Sequence, residues 1–226
     1  KGIPAVWLGQ PNAAVRDLAI AELPADFASK LVSPSLPAAS DSASATPVIT
    51  GWQDVMKTVK DSVRSQNSVE LKEEDGWLMA SAGNDQYQIS ARLSAKNIKD
   101  VAVRGLVRNQ VFIYLRNTST LPGYYNVQFQ KDGTGSIEQV ISNPRKNTPL
   151  TKFETSAGPE HDFLVTMTGP DIRLWVEGKL AATVRDTTID TGFPVVVLGE
   201  RGAAIRDLAI AELPADFASK LPPVTK

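Results

Sequence analysis

After residue 86, apolar and polar residues alternate along most of the chain. Tyr87, Ile89, Ala91 and Leu93 keep this beat, as do Val101, Val103 and Val107, then Val111, Ile113 and Leu115, then Tyr125, Val127 and Phe129. A period of two marks a strand with one buried face, because successive side chains point to opposite sides of the pleat. Further runs follow at Ile137 to Ile141, at Phe163, Val165 and Met167, at Ile172, Leu174 and Val176, and at Leu180 to Val184. Turn chemistry separates them at Asp132-Gly133, Gly169-Pro170-Asp171 and Glu177-Gly178, and an earlier Asp75-Gly76 divides Val69-Glu70-Leu71 from Trp77-Leu78-Met79. Such Gly pairs supply the positive φ that tight hairpins require. One segment has helical spacing instead: Val55, Val59 and Val63 recur at i, i+4, with Thr50 or Asp54 as the N-cap. The pattern predicts an all-β antiparallel sandwich with one short N-terminal helix and no βαβ unit.

A second regularity is longer. Gly2 to Leu31 aligns with Gly192 to Leu221 at an offset of 190, with 23 of 30 positions identical, and Arg16 to Leu31 recurs without change as Arg206 to Leu221. A repeat unit of about 190 residues follows, with residues 1–31 expected to be the tail of a preceding copy. Residues 32–50, rich in Ser, Ala and Pro, read as a linker that buries too little apolar surface to offset its ordering entropy. The complete domain is expected over 51–221, followed by a short tail at 222–226. Val195 to Leu198 and the Ile205 to Leu213 region, separated by Gly199 and Gly202, read as its last two strands. Their orphan counterparts near the N terminus would carry unpaired strand edges, so self-association through residues 2–31 is expected. The start at Lys1 suggests an excised segment of a longer protein.

Composition narrows the function classes. Lys and Arg total 24 against 25 Asp and Glu, which leaves no broad basic surface for nucleic acid. There is no cysteine, which removes disulfides, thiolate metal sites and a cysteine nucleophile. No stretch approaches the roughly 20 apolar residues of a membrane-spanning helix, so no membrane insertion is expected.

The order Asp75-Gly76-Trp77-Leu78, then Gly123-Tyr124-Tyr125-Asn126-Val127-Gln128-Phe129, then Ile172 to Leu180, then Gly192 to Leu213, resembles the jelly roll of the concanavalin A-like lectins and glucanases, which includes laminin G-like domains. It is most similar to the bacterial branch that includes 3-keto-disaccharide hydrolases, through the strand, turn and strand of Arg173 to Asp186 and the closing strand at Ala203 to Leu213. The resemblance implies a concave sheet face that binds sugars. If Val103, Ile113, Val127 and Leu174 face the core, the opposite face collects Arg104, Arg108, Phe112, Tyr114, Arg116, Tyr124, Asn126, Gln128, Arg173, Trp175 and Glu177. All but Arg108 and Phe112 are candidate ligand-binding residues, because arginine forks and amides hydrogen-bond hydroxyls while aromatic rings stack on pyranose faces.

Catalysis finds less support. Glycoside hydrolysis usually needs two carboxylates about 5 to 10 Å apart, and the expected face offers Glu177, with Glu138 as a second candidate. Where the hydrolase-like branch often has Glu before the Val-Gln pair, this sequence has Asn126, and an amide neither ionises nor shuttles a proton. His161, the single histidine, reads as a solvated loop residue without metal partners. Asp186 and Asp190 are conceivable Ca²⁺ ligands, with no other cofactor or metal expected. Lys131 to Gly135 joins two strands and opens no helix, so it is no phosphate loop. The sequence thus points to a non-catalytic carbohydrate- or surface-ligand-binding or spacer module of a tandem-repeat bacterial protein, extracytoplasmic or at the cell surface. Two alternatives remain: a glycoside hydrolase-like enzyme acting on a modified disaccharide, and an assembly module with exchanged terminal strands.

Overall fold

A computed structural model of the chain describes residues 46–62, 64–65, 70–81, 89–118, 123–142, 144–156 and 158–221. All belong to one compact unit, Ser40–Lys226. The expectations for residues 1–31, for most of the linker and for the tail at 222–226 lie outside the described residues, as do Val63, Val69 and Tyr87.

Among the described residues the chain forms β1 (Gln53–Asp54), α1 (Met56–Ser62), β2 (Arg64–Ser65), β3 (Leu71–Glu74), β4 (Trp77–Ala80), β5 (Ile89–Arg92), β6 (Val101–Arg108) and β7 (Val111–Thr118). It continues with β8 (Gly123–Phe129), β9 (Thr134–Ser142), β10 (Arg145–Glu154), β11 (Glu160–Thr168), β12 (Asp171–Val176), β13 (Lys179–Arg185), β14 (Phe193–Leu198), β15 (Ala204–Glu212) and a 3-10 helix, Phe217–Lys220. Sheet I runs β13-β12-β11-β6-β15-β4-β3, with β1 also paired to β15. Sheet II runs β10-β9-β8-β7-β14-β5-β2. Every ladder is antiparallel. The architecture is the antiparallel sandwich with one short helix that the alternation predicts.

The local devices follow from the sequence. Asp75 and Gly76 both take positive φ, 51° and 77°, and close the β3–β4 hairpin in two residues. Glu177 and Gly178 do the same between β12 and β13 at 52° and 73°. This is the backbone twist that suits a two-residue hairpin. Helix α1 is started by Asp54, whose Oδ1 accepts the Met56 N–H at 2.8 Å; Val55, just before the helix, and Val59 within it are buried against the core.

Between the sheets lie Val103 and Val107 of β6, Ile113 and Leu115 of β7, Tyr125, Val127 and Phe129 of β8, Phe163, Val165 and Met167 of β11, and Ile172 and Leu174 of β12, all buried. Sheet I is covered on its other side as well. Ala102, Leu164, Trp175, Ala211, Leu213 and Phe217 form a separate buried cluster there, closed by Ile49, Trp52, Leu180 and Leu221. The segment leading into β1 and the 3-10 helix together roof that face.

Close packing leaves no room for side chains at certain glycines. A Cβ at Gly192 would stand 2.3 Å from the Arg116 carbonyl carbon and 2.5 Å from its oxygen, both backbone atoms. Gly192→Ala is expected to destabilise the domain by about 2 kcal/mol or more, read as a fall in Tm of roughly 5 °C on thermal unfolding.

Candidate functional site

The inward positions of β7 and β8 are the odd-numbered ones, so Phe112, Tyr114, Tyr124, Asn126 and Gln128 stand on the outer face of sheet II. Ladder register sets this face out in two rows. One runs Arg92, Val195, Tyr114, Asn126, Glu138, Pro149, and the other Ser90, Val197, Phe112, Gln128, Ser136, Lys152. The Tyr114 and Tyr124 rings lie 4.2 Å apart between centroids and are tilted by 31°, with Phe112 6.4 Å from Tyr114. Phe193, Val195 and Val197 of β14 form a buried apolar floor that packs against Phe112 and Tyr114. The Arg92 guanidinium sits 3.9 Å over the Phe193 ring. Burial pushes the Tyr114 hydroxyl well above its ordinary range and the neighbouring Tyr124 adds to the shift, so the hydroxyl stays protonated.

Polar groups flank these rings. Asn126 is only 7% exposed, and its Oδ1 finds no hydrogen-bond partner among the described residues. Across the ladder, Glu138 accepts from Ser136 Oγ at 3.3 Å and from Asn147 Nδ2 at 3.5 Å. The second row ends in an open cavity of about 560 Å³ lined by Gln130, Thr134, Gly135, Ser136, Lys152, Phe153 and Glu154. Gly135 shapes it, since a Cβ there would meet the Phe153 ring at 2.2 Å and the Gln128 carbonyl oxygen at 2.6 Å. The face thus joins stacked aromatic surface to amide, hydroxyl, carboxylate and ammonium groups.

Four of the nine residues expected to share a face do so: Tyr114, Tyr124, Asn126 and Gln128. Arg104, Arg173 and Trp175 stand on the outer face of sheet I, on the far side of the sandwich, because β6 and β12 belong to sheet I. There Trp175 is 2% and Arg173 5% exposed, and Arg104 stacks on Trp52 at 4.4 Å. The roof over sheet I removes Trp175 from any ligand platform.

Arg116 and Glu177 occupy neither outer face, and both have a backbone that departs from the strand. Arg116 has φ 52° at the β7–β8 register shift and is 2% exposed. Its guanidinium donates to the carbonyls of Lys99 at 2.9 Å, Gly169 at 2.6 Å and Ile189 at 2.6 Å. Burial lowers its pKa, opposed by Tyr125, Asp100 and Asp190. It ties three loops together at one end of the sandwich. Beside it Asp186 accepts from Tyr125 Oη at 2.5 Å, Thr188 N at 2.8 Å and Gln139 Nε2 at 3.2 Å. Asp190 is exposed and lines a smaller cavity of about 230 Å³ with Arg116.

Glu177 belongs to the opposite end. Its Oε1 accepts from Ser156 Oγ and lies 3.2 Å from His161 Nδ1, while His161 Nε2 lies 3.2 Å from Thr155 Oγ1. His161 is 2% exposed on β11 and not a solvated loop residue. It extends the inward series Phe163, Val165 and Met167 by one step, a signal present in the alternation. Among the described residues no three of His, Asp and Glu gather as metal ligands, and no helix is long and apolar enough to cross a membrane.

No protein-family model and no curated protein sequence matches the chain. Solved structures do share its fold. A Bacillus subtilis protein of unknown function with a galectin-like fold superposes with a TM-score of 0.57 at 8% identity, covering 75% of this chain and 98% of its own. Carbohydrate-binding module CBM66 from Bacillus subtilis gives 0.50 at 10% identity, covering 72% and 98%. A Parabacteroides distasonis protein provisionally described as a glycosyl hydrolase gives 0.52 at 11% identity, covering 74% and 99%. The chain shares the galectin-like jelly-roll fold of these structures, the fold that its strand order resembles.

Two outcomes test the polar ends. Arg116→Ala strands three carbonyls and is expected to cost about 3 kcal/mol, measured by denaturant unfolding. At Asp186, burial favours protonation, but the hydrogen bonds from Tyr125, Thr188 and Gln139 outweigh it and hold the carboxyl below its ordinary 3.8. Glu177 is likewise held below 4.5, by Ser156 first and His161 next. Both folded values are depressed, so the stabilisation is present above the unfolded values and lost as pH falls through the folded ones. Asp186→Asn is expected to lower stability at pH 7 by about 2 kcal/mol and to flatten the fall in Tm on acidification below the ordinary carboxylate range.

Proposed function

We propose that this domain is a non-catalytic carbohydrate-binding module that takes a saccharide on the outer face of sheet II. The observation that carries this is the buried Asn126 amide, with an Oδ1 lacking a partner among the described residues, set beside the Tyr114–Tyr124 ring pair. A buried acceptor left unpaired costs about 1–3 kcal/mol, and a sugar hydroxyl would supply the missing donor. The aromatic faces offer stacking surface to the C–H face of a pyranose, and Gln128, Ser136 and Lys152 continue the polar row into the cavity. The fold shared with CBM66 supports the same class of ligand.

A non-catalytic role is supported by the spacing of acids on this face. Glu154 pairs with Thr134, four residues along β9 from Glu138, so the two carboxylates stand roughly 13 Å apart at the level of the strands. A glycosidase pair is about 5 to 10 Å apart. The duplicated segment supports a setting in which such modules recur in one extracytoplasmic bacterial protein, weak sites adding by avidity.

The test is a glycan-array screen of the purified chain alongside Tyr114→Ala, Tyr124→Ala, Asn126→Ala and, from the opposite face, Arg104→Ala. Binding is expected that falls by about tenfold or more, ~1.4 kcal/mol, in the first three variants and stays unchanged in the fourth. Absence of binding to every glycan overturns the reading, and release of reducing sugar from a bound glycan would favour a hydrolase instead.

A further inference from the structure

The duplicated segment doubles as a substitution experiment on β14. Gly192-Phe193-Pro194-Val195-Val196-Val197-Leu198-Gly199 corresponds to Gly2-Ile3-Pro4-Ala5-Val6-Trp7-Leu8-Gly9. The five positions 192, 194, 196, 198 and 199 are identical in the two copies, and 193, 195 and 197 all differ. The structure gives this division a meaning. Val196 and Leu198 pack between the sheets. Gly192 and Gly199 are held by close approach, a Cβ at Gly199 standing 2.4 Å from the Phe112 ring. Phe193, Val195 and Val197 are the floor of the outer face of sheet II.

The other four differences between the copies fall at 200, 201, 202 and 205. The first three lie in the turn after β14, where substitution costs little, and Val15 for Ile205 removes a single methylene, so the change at the buried positions 193, 195 and 197 is of another kind. Asp207, Glu212, Asp216, Ser219 and Lys220 are exposed, yet they equal Asp17, Glu22, Asp26, Ser29 and Lys30. In β14 the change is confined to one face of one sheet. It is also a change of chemistry. The Phe193 ring that carries Arg92 becomes Ile, the methyls of Val195 beside Tyr114 are trimmed to Ala, and an indole replaces Val197 in the row of Phe112, Ser136 and Lys152. Aromatic surface moves four residues along the strand, roughly 13 Å, toward the row that ends in the cavity.

We infer that positions 193, 195 and 197 determine which saccharide the sheet II face takes, so that two versions of the segment write two specificities onto one core. The inference rests on the carbohydrate-binding reading of that face. A pyranose stacked on an indole at 197 would sit over the cavity row, whereas the sequence as it stands at 192–199 concentrates its rings at Phe193, Tyr114 and Tyr124.

The experiment compares the full chain with Phe193→Ile/Val195→Ala/Val197→Trp on the same glycan array, with thermal unfolding of each. The triple variant is expected to melt within about 5 °C of the parent, to lose about tenfold or more in affinity for the parent's best glycan, and to prefer a different one. A folded variant with the parent's ranking and affinities overturns the inference while leaving carbohydrate binding intact. No binding by either protein overturns both. Should the triple variant fail to fold, Phe193→Ile and Val197→Trp are read singly, and an unchanged ranking in both overturns the inference.

Discussion

The placement of every surface group in this domain depends on the layer of Val, Ile, Leu and Phe side chains held between the two sheets. Val103, Ile113, Val127, Val165 and Leu174 have no exposed surface, and a strand that slipped by one residue would turn its whole apolar set out to water. Register is therefore fixed by the core, and the outer rows are fixed in turn. Tyr114 opposes Asn126, and Asn126 opposes Glu138, because Ile113, Val127 and Ile137 are locked one step along the same strands.

The two ends of the sandwich are closed differently. At one end a buried guanidinium and a carboxylate, Arg116 and Asp186, bind loop backbone; at the other, His161 is fixed between Glu177 and Thr155. These groups have the composition of active sites, but their hydrogen bonds are spent on carbonyls, amides and hydroxyls of the domain itself. Arg116 in particular makes four such bonds to three carbonyls.

Alternation made the strands, the hairpin turns and the core parity legible in the sequence, since each depends on neighbours a few residues away. Four of the nine candidate residues were placed on one face for the same reason. What alternation does not encode is the sheet to which a strand belongs. Asn109, at φ 61°, and Gln110 carry the chain from β6 in sheet I to β7 in sheet II, so two outward residues on consecutive strands, Arg104 and Tyr114, end on opposite sides of the molecule. Arg116 and Glu177 escaped for a second reason, as left-handed backbone breaks the period at each. Trp175 escaped for a third, because its cover comes from Ile49, Trp52 and Phe217, remote in sequence.

The roof over sheet I also gathers the two ends of the described chain. Thr46 bonds the Gly178 carbonyl at 3.0 Å, and Leu221 packs in the same outer cluster as Ile49, so the chain enters and leaves the sandwich on one side. Thr46 and Leu221 therefore lie on the sheet I side, across the core from Tyr114, Tyr124 and the cavity beside Phe153.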